Sequence, residues 1–85
     1  MPRAAQEDYI VIEVSTLGTF TDDQKKTLVE KFKLGTILDV VQKSATGISA
    51  CIAASYADVS TTRTYTFVFG GSSLQTVTVE ETIEA

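Results

Sequence analysis

The chain has 85 residues, no histidine and one cysteine, and its formal net charge is −4. It therefore lacks the side chains most often used for acid–base catalysis near neutral pH, for internal disulfides and for zinc ligation. The acidic balance disfavours contact with the phosphate backbone of nucleic acids. We expect no catalytic, cofactor-binding or metal-binding residues, and a protein that is not an enzyme and acts through its surface.

The sequence also indicates where in the cell the protein is expected and how its small core is stabilised. No stretch approaches the ~20 apolar residues that cross a bilayer, and residues 1–8 lack the apolar segment of a signal peptide. We expect a soluble protein without membrane contact, in the cytoplasm or incorporated in a virion. Because the core of so short a chain is small and neither a disulfide nor a metal is expected, oligomerisation is the remaining means of stabilising it.

The N-terminal third predicts an arm, a strand and a helix. Residues 1–8 have no periodic apolar pattern and predict an extended arm, followed by one α+β domain at 9–85. Residues Tyr9 to Ser15 alternate as a strand does. Thr21 and Gln24 form a capping-box pattern that starts a helix at about Asp22, and Gly35 is placed to end it after Lys33. Its apolar stripe is Leu28, Val29 and Phe32.

The middle of the chain is harder to assign. Thr36 to Lys43 fits a helical stripe as well as a buried strand, and its β-branched residues favour the strand. Ser44 to Gly47 predicts a type I turn with a left-handed glycine. Ile48 to Tyr56 alternates in size, and we expect its larger residues to face the core: Ile48, Ala50, Ile52, Ala54 and Tyr56. The smaller residues between them would let either the helix or a neighbouring subunit approach this side of the strand closely. Cys51 is expected to pack there as a small apolar side chain.

The last third predicts two paired strands after a polar loop at Asp58 to Thr62. In the strand from Arg63 to Phe69, one face is aromatic, with Tyr65, Phe67 and Phe69. The other face contains Thr64, Thr66 and Val68. Gly70 to Ser73 forms a turn, and Leu74 to about Ile83 alternates again. The prediction is an α+β fold of order β-α-β-β-β-β, with one helix packed on a four- to five-stranded, mainly antiparallel sheet. The pattern does not decide which sheet face the helix covers.

Two family resemblances supply alternative functions. The stretch Phe20 to Phe32 after a short strand, with Pro2 exposed once Met1 is removed, resembles the start of the small tautomerases. That resemblance implies an enzyme whose catalytic base is the Pro2 amine. In that family the proline begins the first strand directly, whereas here about six residues intervene and the catalytic arginines have no clear counterpart.

The second resemblance is architectural. A strand, one helix and an antiparallel sheet wrapped around it is similar to the cystatin-like arrangement, whose inhibitory members bind proteases through a Gln-x-Val-x-Gly hairpin. Gln42 to Gly47 lies near the equivalent turn, with a different spacing and no valine. It implies an inhibitor or binding module acting through the turn Ser44 to Gly47. We assign the chain to neither family.

The leading hypothesis is a structural or protein-interaction subunit, homo-oligomeric or part of a larger assembly. Thr and Ser make up 20 of the 85 residues and concentrate in the second half, where they coat strand faces with short hydrogen-bonding side chains. This composition is typical of a virion component such as a phage capsid-decorating or tail protein. The expected contact residues lie in the arm and on the Thr-rich strand faces: Pro2, Arg3, Thr64, Thr66, Val68, Thr76 and Thr78.

Overall fold

Five strands form one sheet, and a single α-helix lies across one of its faces. The computed structural model describes residues 9–70 and 73–83, so the predicted arm at residues 1–8 lies outside the described part of the chain. The predicted α+β class and element order are confirmed. In chain order the elements are β1 (Ile10–Glu13), α1 (Asp22–Leu34), a short 3-10 helix (Ile37–Asp39), β2 (Val40–Ser44), β3 (Gly47–Val59), β4 (Thr62–Gly70) and β5 (Leu74–Thr82).

The strands lie in the sheet in their order along the chain, from β1 to β5. From β2 to β5 each strand is antiparallel to the next, as the short connections require. β1 and β2 are parallel, because α1 carries the chain back to the end of the sheet from which β1 started. The sheet is therefore mixed, and the prediction of a mainly antiparallel sheet needs this one parallel pair added.

The helix begins and ends where the local sequence predicts. The Gln24 N–H donates to the Thr21 hydroxyl at 3.2 Å, and the Thr21 N–H donates to the Gln24 side chain at 2.9 Å, which completes the capping box. Gly35 has φ 80°, a left-handed conformation that favours glycine, and its N–H bonds to the Phe32 carbonyl. Leu28 and Val29 are buried and seat the helix on the sheet.

The core lies between α1 and one face of the sheet. On β4, Tyr65, Phe67 and Phe69 are fully buried, whereas the residues between them are only half-buried, which confirms the predicted division of this strand. Phe32 packs edge-on against both Tyr65 and Phe67, with ring centroids 5.5 and 6.2 Å apart. The other buried apolar residues are Ile12, Phe20, Leu28, Val29, Ile37, Val40, Cys51 and Val77.

The predicted core face of β3 is wrong in its first half. Ile48 and Ile52 are 61% and 54% exposed, whereas Ser49 and Cys51 are buried. The cause is a β-bulge: Cys51 pairs with Phe69 and Ala53 with Val68, so Ile52 is an extra residue in the ladder. The bulge reverses the alternation, and only beyond it do the expected residues, Ala54 and Tyr56, face α1.

Three local predictions also need correction. Within Thr36 to Lys43, residues Ile37–Asp39 are helical and the strand begins only at Val40. Gly47 is not left-handed, because the turn between β2 and β3 contains just two residues, Ala45 and Thr46. The loop expected at Asp58 to Thr62 is a second two-residue turn, in which Ser60 has φ 58°. Strands β3 and β4 are consequently longer than predicted.

A buried glutamine holds two distant parts of the fold together. Gln42 on β2 has no exposed surface; its side-chain oxygen accepts the Gly18 N–H at 2.8 Å and its amide donates to Gln75 on β5 at 2.7 Å. Strands lie ~4.8 Å apart, so β2 and β5 would be about 14 Å apart in a flat sheet, too far for two glutamines to meet. The sheet therefore curls around the core at this end.

Removing this link will destabilise the fold. In Gln42→Ala the Gly18 N–H and the Gln75 side chain lose a partner in a part-buried site, and we expect the free energy of unfolding to fall by about 1–3 kcal/mol. The measurement is urea denaturation at pH 7. Lys43→Ala, an exposed change one residue away, is the control and should alter stability by less than ~0.5 kcal/mol. Equal stability of the two variants would show that the Gln42 hydrogen bonds contribute nothing.

Candidate interaction surface

The sheet face opposite α1 is uncovered by any other described element. We call it the open face. It is formed by the residues that alternate with the buried ones on each strand. Its apolar half, on β1 to β3 and the residue just before β1, contains Tyr9, Val11, Val41, Ile48, Ala50 and Ile52. Its threonine half, on β4 and β5, contains Thr64, Thr66, Val68, Leu74, Thr76 and Thr78.

The apolar half presents large hydrophobic side chains to solvent. Tyr9 is 50% exposed and Val11 47% exposed, and both lie beside Val41 and Ile48 around one shallow depression. Ile52 lies across Gly70, where an added Cβ would come within 2.9 Å of the Ile52 Cδ1 atom. Single exposed hydrophobic residues are ordinary, but a contiguous group of them on one sheet face is typical of an interaction site.

The threonine half brings together five of the predicted contact residues. Thr66 is paired with Thr78, and Val68 with Thr76, across β4 and β5, with Thr64 one step further along the same face. Pro2 and Arg3 lie outside the described residues, so their position relative to this face stays a prediction. The apolar half was not predicted, because simple alternation along β3 places Ile48 and Ile52 in the core, whereas the bulge at Ile52 leaves both exposed.

The open face carries few charges. Among the described residues the charged side chains on it are Glu13, Lys43 and Glu80, at its margins. Glu13 and Lys43 are paired in the β1–β2 register and offset each other. The centre of the face, from Val41 to Thr66, is uncharged. Most of the charged side chains within residues 9–70 and 73–83 thus lie elsewhere, which is the distribution expected if this face meets protein instead of water.

A group of polar and aromatic residues lies on the opposite, helix-covered side, where β3 and β4 extend past the end of α1. The Tyr65 hydroxyl donates to Glu81 at 2.5 Å, and the Lys33 ammonium lies 3.0 Å from the other oxygen of that carboxylate. These two contacts hold the pKa of Glu81 below its usual value, the tyrosine contributing more. Glu81 is thus a half-buried carboxylate that links β5 to β4 and to the end of α1.

The same side is completed by an ion pair near the β3–β4 turn. Arg63 binds Asp58 with two hydrogen bonds, of 2.6 and 2.9 Å, and its guanidinium lies 4.2 Å from the centre of the Tyr56 ring. The hydrogen bonds from Arg63 lower the pKa of Asp58. These contacts fix the conformation of the protruding hairpin.

The remaining candidates from the sequence have structural roles. Cys51 is buried, as predicted, and burial raises the pKa of its thiol, which favours the unreactive protonated form. Gln42, the first residue of the cystatin-like stretch, is buried and bonded within the chain, so it does not reach the turn surface. Within residues 9–70 and 73–83 no three His, Cys, Asp or Glu side chains are grouped as metal ligands would be.

Comparison with known proteins adds no identification. Neither the protein-family models, the curated proteins nor the solved structures gave a match to this chain. None of the described helices is long and apolar enough to span a membrane. Inference about function therefore depends on the surface just described.

Glu81 makes stability depend on pH. Because its pKa is lower in the folded protein than in the unfolded chain, its contribution is fully present above the unfolded value, near 4.5, and is lost as the pH falls through the lower folded value. In Tyr65→Phe the larger of the two causes is removed, and we expect the loss of stability between pH 7 and pH 3 to shrink. The measurement is the urea midpoint at several pH values.

The control for this prediction is Glu80→Gln. Glu80 precedes Glu81 but faces the other side of the sheet and has no contact with Tyr65, so this variant should keep the pH dependence of the parent chain. If Tyr65→Phe and the parent lose the same stability on acidification, the Tyr65–Glu81 hydrogen bond does not control the titration of Glu81.

Proposed function

We propose that this chain is a structural, non-enzymatic subunit that packs the open face of its sheet against a second copy of itself, as one contact within a larger assembly. The observation that carries the proposal is the contiguous group of exposed apolar side chains on β1 to β3. Continuity with the threonine half extends the surface across all five strands, so that a partner meets an apolar region bordered by short hydroxyl side chains.

The size of the open face supports an interface between proteins. With ~4.8 Å between strands and ~3.3 Å per residue along them, the face has an area on the order of 600 Å². Each partner in a standard protein interface buries about 800 Å², so the face supplies most of one such interface. A small-molecule site would instead need a deep, enclosed pocket. The depression around Val11 and Ile48 is shallow and open.

Charge favours a second copy as the occupant. The chain has a formal net charge of −4, and two copies brought together through most of their surface would repel each other. The open face avoids this repulsion, because its central residues are uncharged and Glu13 is offset by Lys43. The absence of a basic patch on the face also argues against nucleic acid as the partner.

The other functions suggested by the sequence stay predictions. The tautomerase alternative depends on Pro2, which lies outside the described residues. The inhibitor alternative depends on the turn from Ser44 to Gly47, and no observed contact singles this turn out as a binding site. The narrower expectation of a virion component rests on composition alone.

A carboxylate on the open face should weaken self-association. In Ile48→Glu the new side chain lies opposite Lys43 on β2, so the free subunit gains a favourable neighbour and should fold normally. In the associated state the carboxylate would be taken out of water, and we expect the dissociation constant to rise at least tenfold. The measurement is sedimentation velocity over a range of concentrations.

Leu34→Glu is the matched control. Leu34 is 71% exposed at the end of α1, on the side away from the open face, and the substitution makes the same change in charge and hydrophobicity. It should leave association unchanged. Equal association of Ile48→Glu, Leu34→Glu and the parent chain would contradict the proposal, as would equal weakening by the two substitutions.

A further inference from the structure

Strand β3 has a long outer edge that no described strand covers. β3 runs for 13 residues, but β2 pairs with it only from Gly47 to Ala50. Beyond that point its other neighbour, β4, continues to Val59. The short 3-10 helix lies beside the start of the uncovered stretch, near Ala53 and Ala54. From Ala54 onward, the outer side of β3 is a free sheet edge.

The turn determines which backbone groups point outward from this edge. Val59 and Thr62 flank a two-residue turn and therefore form a hydrogen-bonded pair. Since hydrogen-bonded and non-hydrogen-bonded pairs alternate in an antiparallel ladder, Asp58, Tyr56 and Ala54 belong to non-hydrogen-bonded pairs. Their N–H and C=O groups point away from β4. These six groups have no hydrogen-bond partner within residues 9–70 and 73–83.

This edge lacks the usual protection against pairing. Natural proteins guard exposed edges with lysine, proline, bulges or inward-pointing charges. From Ala54 to Val59 the sequence is Ala-Ser-Tyr-Ala-Asp-Val, without lysine or proline, and the bulge lies before it. The one charged side chain, Asp58, is held by Arg63 of the neighbouring strand. The edge is therefore open to a strand of another molecule.

We propose that two copies of the chain pair antiparallel along this edge, about a two-fold axis that passes between their Tyr56 residues. In this register Tyr56 lies opposite Tyr56 of the second copy, and Ala54 opposite Asp58. The outward-pointing N–H and C=O groups of Ala54, Tyr56 and Asp58 then all face such groups on the other copy, which gives six backbone hydrogen bonds. A shift by two residues in either direction leaves one outward residue on each strand unmatched and reduces the number to four.

The side chains agree with this register. The two Asp58 carboxylates lie four residues apart along the paired strands, about 13 Å, each beside an alanine, so they do not repel strongly. Val59 of one copy lies opposite Ala53 of the other, a residue that borders the same shallow depression as Leu38. Val59 and Leu38 are both largely exposed in the single chain, and this pairing brings them near each other.

The edge contact is separate from the open-face contact and goes beyond it. Paired residues of antiparallel strands point to the same side of the sheet. The dimer would therefore place both helices on one side and both open faces on the other, as one continuous surface in which β3, β4 and β5 of the two copies form six adjacent strands. Two different self-contacts of this kind would allow an assembly to grow, whereas either contact alone would end at a dimer.

Disulfide trapping tests the register. In a Cys51→Ala background, Tyr56→Cys places the introduced thiols across a hydrogen-bonded pair, with Cα atoms about 5.5 Å apart, within the range of a disulfide. Ser55→Cys is the matched control, because its two copies lie diagonally, about 8 Å apart. Under mild oxidation we expect at least tenfold more covalent dimer from Tyr56→Cys, measured by non-reducing electrophoresis. Preferential cross-linking of Ser55→Cys, or of neither variant, would overturn the proposal.

A proline variant tests the edge without altering Tyr56. Ala54→Pro removes an N–H that points outward and takes no part in the ladder with β4, so circular dichroism should show a folded chain. We expect its edge-dimer dissociation constant to rise at least tenfold. Because the open face is untouched, combining Ala54→Pro with Ile48→Glu separates the two contacts. If only Ile48→Glu weakens association and Tyr56→Cys forms no dimer, the edge proposal fails while the open-face proposal stands.

Discussion

One helix cannot cover this sheet, and that limit shapes the rest of the molecule. The 13 residues of α1 span about 20 Å at ~1.5 Å per residue, whereas the 13 residues of β3 extend for about 43 Å at ~3.3 Å per residue. The helix protects one face, where the aromatic residues of β4 form the core. The opposite face and the protruding end of β3 stay uncovered, and both candidate contact surfaces result from this mismatch in size.

Polar contacts on the covered side hold the sheet in a defined shape. The Gln42–Gln75 hydrogen bond fixes the curl at one end, and the Tyr65–Glu81–Lys33 contacts join β4, β5 and the end of α1 at the other. The Arg63–Asp58 pair stiffens the protruding hairpin. Comparable side-chain links are not found on the open face among the described residues. A surface held from behind in this way loses little conformational entropy when it binds a partner.

Features that depend on residues close together in the sequence were predicted correctly, whereas features that depend on contacts between distant residues were not. The capping residues Thr21 and Gln24, the terminating Gly35 and the aromatic alternation of β4 act within a few residues, and all were predicted correctly. The bulge at Ile52 depends on how β3 fits against β4, so simple alternation placed Ile48 and Ile52 on the wrong face. The burial of Gln42 depends on Gly18 and Gln75, which only the folded chain brings near. The threonine half of the open face was predicted and its apolar half was not.

The most direct test of the central claim, that the uncovered sheet mediates self-association, is the solution mass of the unmodified chain by light scattering from low to high micromolar concentration. We expect a mass that rises above the 9.2 kDa of the single chain, through a dimer, as the concentration increases. A mass that stays at 9.2 kDa over the whole range would contradict both proposed contacts and direct the search to a different protein partner for the open face.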